Sequence, residues 1–148
     1  MSNTGFDCYA GDICTQEAWQ ILEHNNKAVL IDVRTHAEWS FVGVPDLTGL
    51  GKSVLQLEWL SYPAMQVHAD FGERLLEMLS EHGADQQAPL LFLCRSGVRS
   101  RNAAIVMTKD WSGPCYNVAG GFEGDLDAGG HRATVSGWKK DDLPWRQF

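Results

Sequence analysis

The stretch "PLLFLCRSGVRSRNAAIVMTKDW", Pro89 to Trp111, changes character abruptly at Cys94. Residues 89–94 form an uninterrupted apolar run, which is typical of a strand buried on both faces of a parallel sheet. A polar loop of arginine, serine and glycine follows. Residues 100–111 then predict a helix. The stretch therefore predicts a strand, a loop and a helix, with one thiol at the end of the strand.

Strands and helices alternate along the rest of the chain as well. Further strands are predicted at residues 28–33 ("AVLIDV") and 115–121 ("CYNVAGG"), and a possible one at 53–59 ("SVLQLEW"). This alternation predicts an α/β fold with a central, mostly parallel sheet flanked by helices on both faces. A chain of 148 residues is long enough for one core, so we expect a single domain over residues 1–148.

Local signals mark where three further helical segments begin and end. A short polar residue is favoured at the N-cap, a Thr–x–x–Glu pattern forms a capping box, and glycine stops a helix. The predicted segments are a helix at 16–24 with Thr15 as its N-cap, a turn opened by Thr35 and Glu38, and a helix at 70–83 capped by Asp70 and stopped by Gly83.

The net charge of −7 argues against nucleic acid and anionic membranes as partners. Although the chain as a whole is negative, three arginines, Arg95, Arg99 and Arg101, lie within seven residues. This local positive charge favours a small anion as the ligand. The first residues lack the basic and apolar regions of a signal peptide, and no apolar run is long enough to span a membrane. We therefore expect a cytoplasmic protein whose four cysteines, with no C-x-x-C pair, are free thiols.

Cys94 is the candidate reactive group. Ligand sites in parallel sheets lie beyond the carboxyl ends of the strands, where Cys94 is predicted to be. The first N–H groups of the following helix would point at the loop, and helix N-termini and arginines favour the thiolate. A cysteine that simply ends a strand as a small apolar residue is the alternative. It does not explain the cationic, glycine-containing loop.

Three motifs resemble the rhodanese-type sulfurtransferases. "CRSGVRS" resembles the active-site loop of that family, "LIDVRTHAEW" its early strand and turn, and "GWKKDDLPW" its C-terminal ending. The resemblance covers about residues 15–146 and implies a rhodanese-like fold. One departure is that "VGVPD" replaces the usual His-Ile-Pro-Gly-Ala, and an unusually long segment follows. Residues 43–64 therefore form an atypical segment beside the expected pocket.

The resemblance also implies a mechanism. The Cys94 thiolate takes the sulfane sulfur of thiosulfate or a persulfide, and a thiol or cyanide then removes it. A protein could be the sulfur acceptor, and neither a metal nor an organic cofactor is expected. Asp32 and Arg34 would support the structure by ion pairing. The expected substrate-binding residues follow the cysteine: Arg95, Ser96, Gly97, Val98, Arg99 and Ser100.

Two alternatives remain open. A cysteine phosphatase or arsenate reductase could use the same fold, but such phosphatases place one more residue between the cysteine and the arginine. Here four residues separate Cys94 from Arg99, and Leu93 replaces a usual histidine. The smaller loop favours sulfur over phosphate, by analogy of loop size. A non-catalytic rhodanese-like binding module is the second alternative, although such modules typically lose the cysteine.

The remaining candidates have simpler interpretations. We expect Cys115 to be buried and Cys8 and Cys14 to be incidental. Residues 125–130, "DLDAGG", lack the ligands of a calcium loop, and the histidines lack zinc-ligand spacing. Trp59 and Tyr62, in the atypical segment, are candidates for lining the pocket.

Overall fold

The computed structural model describes residues 8–148. Residues 1–7 belong to the stretch that is predicted not to be a signal peptide, and they lie outside the described residues. Four helices are α1 (Thr15–His24), α2 (His36–Phe41), α3 (Phe71–His82) and α4 (Val98–Thr108), and a 3-10 turn covers Thr48–Leu50. The strands are β1 (Gly11–Ile13), β2 (Val29–Asp32), β3 (Val44–Pro45), β4 (Leu55–Gln56), β5 (Leu60–Ser61), β6 (Gln66–Val67), β7 (Leu90–Leu93), β8 (Cys115–Val118) and β9 (Trp145–Arg146).

Five strands form the central sheet in the order β1-β8-β7-β2-β4. All four neighbouring pairs are parallel, and Leu91 lies opposite Leu30 on one side and Tyr116 on the other. The predicted parallel sheet is confirmed. Because the strands run in one direction, their carboxyl ends lie at one edge, and Cys94 follows β7 at that edge.

The sheet is buried on both faces, which explains why its central strands read as continuous apolar runs. Alternate residues point to opposite faces. Ile31 and Phe92 join a core with side chains of α3 and α4, whereas Leu30 and Leu91 join a second core with α1 and Trp138. The prediction of helices on both faces is therefore confirmed. Within residues 8–148, no helix combines the length and apolar character needed to cross a membrane.

The atypical segment at residues 43–64 has structure of its own. Its first strand, β3, pairs antiparallel with β9 at the C-terminal end of the chain. β4 adds the edge strand of the main sheet beside β2, within the predicted strand at 53–59. β5 and β6 then form a hairpin. Trp59, between β4 and this hairpin, is buried against Phe71, with ring centroids 5.0 Å apart.

The predicted N-cap of α1 is wrong, and the predicted N-cap of α3 is confirmed in position only. Cys14, not Thr15, caps α1: its Sγ accepts a hydrogen bond from the N–H of Glu17 at 3.4 Å, and the Glu17 carboxylate accepts one from the N–H of Cys14. Thr15 is buried as the first helical residue, and its hydroxyl donates to Asp141 near the C-terminus. Asp70 holds the N-cap position of α3, but its side chain makes no capping bond.

Other local predictions agree better with the structure. The capping box of Thr35 and Glu38 is present at α2, and Gly83, with φ of +79°, ends α3. The helix α4 begins at Val98, two residues before the predicted start at Ser100. The earlier start follows from Gly97, which takes the N-cap position with a positive φ that other residues rarely adopt.

Replacing Leu91 by Ala tests the two-faced core. Leu91 is completely buried, so the truncation removes apolar contacts and leaves a cavity. We expect the free energy of unfolding to fall by about 2–5 kcal/mol, measured by urea denaturation. Leu126→Ala is the control, since this leucine is 55% exposed and its loss should change stability by less than about 0.5 kcal/mol. Equal effects of the two substitutions would contradict the assignment of the core.

Candidate active site

Cys94 lies buried at the carboxyl end of β7, with 1% of its surface exposed. Its Sγ accepts hydrogen bonds from the N–H groups of Gly97, at 3.2 Å, and Ser100, at 3.4 Å. Ser100 belongs to the first turn of α4, where N–H groups have no partner within the helix. The loop thus directs backbone donors at the sulfur, and this arrangement favours negative charge there.

Two glycines allow this loop to close. Gly97 has φ of +117°, and a Cβ at this position would lie 2.6 Å from the carbonyl oxygen of Ala119. Gly121 has φ of +66°, and a Cβ there would lie 2.5 Å from the carbonyl group of Arg95. Both contacts are too close for any side chain. The loop is therefore wedged against the turn that follows β8, and this wedging fixes the direction of the Gly97 N–H group.

Backbone hydrogen bonds hold the same contact. The N–H of Phe122 donates to the carbonyl of Cys94 at 2.8 Å, and the N–H groups of Glu123 and Gly124 donate to the carbonyl of Arg95 at 3.0 and 3.1 Å. The loop around the thiol is thus bonded on one side to the start of α4 and on the other to residues 122–124.

Arg99 is held by a carboxylate from α2. Its guanidinium donates to both oxygens of Glu38, at 2.6 and 2.9 Å. Burial alone would raise the pKa of Glu38, but hydrogen bonds and charge from Arg99, together with Thr35, hold that pKa below its usual value. Burial likewise opposes the charge of Arg99, and Glu38 outweighs it to raise the pKa of the guanidinium. Both groups are therefore ionised at neutral pH.

Asp32 and Arg34 form a second, completely buried ion pair. Arg34 donates to both carboxylate oxygens of Asp32 and to the carbonyl of Gly43 at 2.8 Å. Its guanidinium also lies over the Phe122 ring, 4.3 Å from the centroid. The pair joins the end of β2 to the start of the atypical segment and to the residues that support the Cys94 loop.

A pocket of about 300 Å³ opens beside this loop. Its lining residues are Glu38, Val42, Tyr62, Met65, Arg95, Arg99, Glu123 and Arg132. Tyr62 and Met65 come from the turn of the β5–β6 hairpin and are largely exposed, so this turn forms one wall. A larger cavity of about 450 Å³ lies beside Val29 and Gly83, at the amino ends of the strands and away from Cys94.

The other predicted residues are distributed around the loop. Arg95 and Val98 are exposed, Ser96 is half-buried, and Ser100 is fully buried with its Oγ 3.1 Å from the Cys94 sulfur. Of the two aromatic candidates in the atypical segment, Tyr62 lines the pocket and Trp59 belongs to the core. Gly97 has no side chain, and its contact with the sulfur is made by its backbone N–H group.

The remaining cysteines have separate environments. Cys115 is buried, and that burial raises the pKa of its thiol to about 11, so it is protonated at neutral pH. Cys8 is exposed. Cys14 is the N-cap of α1, so the expectation that it is incidental is wrong.

Three polar residues near the site were not predicted from the sequence to belong to it. Glu38 was assigned only to helix capping, although it lies within "LIDVRTHAEW", one of the three motifs that carry the family resemblance. Arg132 reaches the pocket from the C-terminal loops and donates to the carbonyl of Gly124 at 2.7 Å. Asn117, on β8, accepts a hydrogen bond from the Ser100 hydroxyl at 2.6 Å. Its position within a buried strand carried no functional signal.

The chain is similar to known proteins over almost its whole length. The protein is 48% identical to Rv0390 from M. tuberculosis, whose crystal structure matches with a TM-score of 0.83 over 95% of this chain and 100% of that one. It is 37% identical over 135 residues to the uncharacterized protein RC0915 of Rickettsia conorii, covering 91% of this chain and 96% of the relative.

A more distant relative has a named activity. The thiosulfate sulfurtransferase GlpE of Glaesserella parasuis is 28% identical over 133 residues, which is 90% of each chain. Residues 15–128 match the model of the rhodanese-like domain. The loop, the parallel sheet and the sequence comparisons agree, and the chain belongs to the rhodanese-like domain family.

Proposed function

We propose that the protein is a sulfurtransferase that carries sulfur as a persulfide on Cys94. The observation that carries the proposal is the buried Sγ with the N–H groups of Gly97 and Ser100 directed at it. Preorganised donors of this kind stabilise charge on a reacting atom without reorganisation. They support a thiolate nucleophile in the native site and a charged sulfur bound to it.

The reaction proceeds by double displacement. The Cys94 thiolate attacks the sulfane sulfur of thiosulfate, the S–S bond of the donor breaks, and sulfite leaves with its electron pair. The enzyme now holds a persulfide whose outer sulfur is negative. An acceptor thiolate or cyanide attacks that outer sulfur, forms a new persulfide or thiocyanate, and returns Cys94 as the thiolate. No net oxidation or external reductant is involved.

The arginines of the site divide between two tasks. The carboxylate of Glu38 compensates the positive charge of Arg99 through two hydrogen bonds from the guanidinium. The main task of Arg99 is therefore to fix the start of α4 beside the sulfur. Arg95 is exposed at the pocket, and Arg132 lies at the same opening. These two guanidinium groups supply the positive charge that attracts a dianionic donor to an otherwise acidic protein.

The acceptor is proposed to be a thiol, either of a small molecule or of a protein. Tyr62 and Met65, 57% and 45% exposed, make one wall of the pocket apolar. An apolar wall adds little binding free energy for a small anionic donor, whereas a protein acceptor could pack apolar side chains against it. We place the reaction in the cytoplasm, where a reducing environment keeps thiols such as the four free cysteines unpaired.

Replacing Cys94 by Ser tests the nucleophile directly. We expect thiosulfate:cyanide sulfurtransfer to fall by about 10³-fold or more, as on removal of other catalytic nucleophiles. Mass spectrometry after thiosulfate treatment should find one added sulfur atom on the native protein and none on the variant. Cys115→Ser is the control and should stay active. Loss of activity only in the Cys115 variant, or rapid hydrolysis of p-nitrophenyl phosphate by the native protein, would contradict the proposal.

Arg95→Ala tests the recruitment of the donor. Because the guanidinium lies at the pocket opening rather than on the sulfur, we expect KM for thiosulfate to rise about fivefold with a smaller change in kcat. Exposed charges are screened over about 10 Å at ~0.1 M ionic strength, so added salt should reduce the difference from the native protein. Arg146→Ala, which removes an exposed arginine elsewhere, should leave KM unchanged. A fall in kcat at constant KM would instead place Arg95 in the chemical step.

Glu38→Gln tests the ion pair that holds Arg99. The pKa of Glu38 is lowered in the folded protein, so the carboxylate contributes stability above its unfolded pKa, about 4.3, and loses it as the pH falls through the folded pKa. At pH 7 we expect the variant to be less stable by about 2 kcal/mol, between the values for exposed and buried pairs.

Urea denaturation between pH 7 and pH 3 measures this difference. The gap between native protein and variant should narrow as the pH falls below about 4.3. Glu73→Gln provides the control, because Glu73 is exposed on the first turn of α3. A gap that stays constant with pH would mean that the ionised carboxylate of Glu38 does not hold Arg99.

A further inference from the structure

A chain of hydrogen bonds leads from Cys94 to the edge of the sheet. The Ser100 hydroxyl lies 3.1 Å from Sγ of Cys94 and donates to Oδ1 of Asn117 at 2.6 Å. Nδ2 of Asn117 donates to Asp12 at 3.0 Å, and the hydroxyl of Tyr9 donates to the same carboxylate oxygen at 2.7 Å. Ser100 and Asn117 are buried, with 0% and 2% of their surfaces exposed.

The carboxylate of Asp12 fixes the direction of every bond in this chain. An ionised carboxylate only accepts hydrogen bonds, so the NH₂ group of Asn117 must face Asp12 and its carbonyl oxygen must face Ser100. The Ser100 hydroxyl has one proton, and this proton is used in the bond to Asn117. The hydroxyl therefore presents a lone pair, not a proton, to the sulfur of Cys94.

We propose that Asn117, oriented by Asp12, is a positioning residue that keeps the Ser100 hydroxyl proton away from the Cys94 sulfur. The inference rests on the proposed function of Cys94 as a nucleophile. In the thiol form, the S–H of Cys94 donates to Ser100. In the thiolate form, the sulfur keeps the N–H donors of Gly97 and Ser100 and lacks the hydroxyl donor.

The consequence is a more reactive thiolate. A hydroxyl that turned towards the sulfur would leave the buried oxygen of Asn117 without a donor, which is unfavourable. Asn117 thus limits the hydrogen bonds that stabilise the thiolate. The intrinsic nucleophilicity of a thiolate rises with its basicity, with a Brønsted coefficient of about 0.4–0.5. With this arrangement a smaller fraction of Cys94 is ionised at low pH, but each thiolate that forms attacks faster.

Other charged groups near the sulfur stay in place when this chain is altered. Arg99 of α4 interacts with charge on Cys94 and is bound to Glu38 of α2. The buried pair of Asp32 and Arg34 lies at the end of β2. None of these groups bonds to Asn117 in the described residues, so a substitution there leaves their charges unchanged.

The experiment is the rate of Cys94 alkylation by iodoacetamide as a function of pH. Asn117→Leu has a similar volume and removes the acceptor, so the Ser100 hydroxyl can donate to the thiolate. We expect the midpoint of the pH profile to move down by about one unit, a tenfold change in the ionisation equilibrium. With a Brønsted coefficient of about 0.45, the limiting rate at high pH should fall about threefold.

Ser100→Ala is the matched background. Without the hydroxyl, the further substitution Asn117→Leu should leave both the midpoint and the limiting rate unchanged. A shift that persists in this background would mean that Asn117 acts through packing, and it would overturn the proposal.

Asp12→Ala keeps the test available if Asn117→Leu does not fold, because the Asp12 side chain is exposed. Without the carboxylate, the amide of Asn117 can reverse, and the midpoint should again move down. An unchanged profile in either folded variant overturns the proposal. Alkylation needs no sulfur donor, so a native protein that fails to transfer sulfur would reject the proposed function and leave this result interpretable.

Discussion

The close contact between the Cys94 loop and the turn after β8 is the constraint on which the rest of the site depends. At Gly97 and Gly121 the two segments approach so closely that no side chain fits. The positive φ of Gly97 begins α4 directly beside the sulfur, and the N–H groups of Gly97 and Ser100 point towards it. Any residue with a Cβ at either position would separate the segments, and the backbone donors would then no longer converge on one atom.

Charge near the thiol is balanced pair by pair. Arg34 is compensated by Asp32 beneath the loop, and Arg99 is compensated by Glu38 beside it. Buried charges require such partners, since an unpaired ion in the interior is strongly destabilising. Arg34 and Arg99 therefore have structural tasks, while the proposed attraction of an anion depends on exposed Arg95 and on Arg132 at the opening. Stability and ligand attraction are assigned to different arginines of the same small site.

Local patterns in the sequence predicted the elements, and long-range contacts explain what they did not predict. The apolar run before Cys94 identified β7 because a strand buried on both faces needs no alternation. The start of α4 was misplaced, since nothing in "RSGVRS" reveals that Gly97 adopts a positive φ. Glu38 was correctly assigned to a capping box, yet its carboxylate also binds Arg99, which is distant in the chain. Thr15 was a suitable N-cap, but its hydroxyl bonds to Asp141 instead.

The site is assembled from segments that lie far apart in the sequence, and this limits what the loop motif alone can determine. Asp12 comes from β1, Glu38 from α2, Asn117 from β8 and Arg132 from the C-terminal loops. Glu38 acts on Arg99 and Asn117 acts on Ser100, which both belong to the loop, and Asp12 acts on the loop only through Asn117. Two chains with the same loop from Cys94 to Ser100 would therefore differ in thiolate reactivity wherever these outer residues differ, because the direction of a single hydroxyl proton depends on a carboxylate three hydrogen bonds from the sulfur.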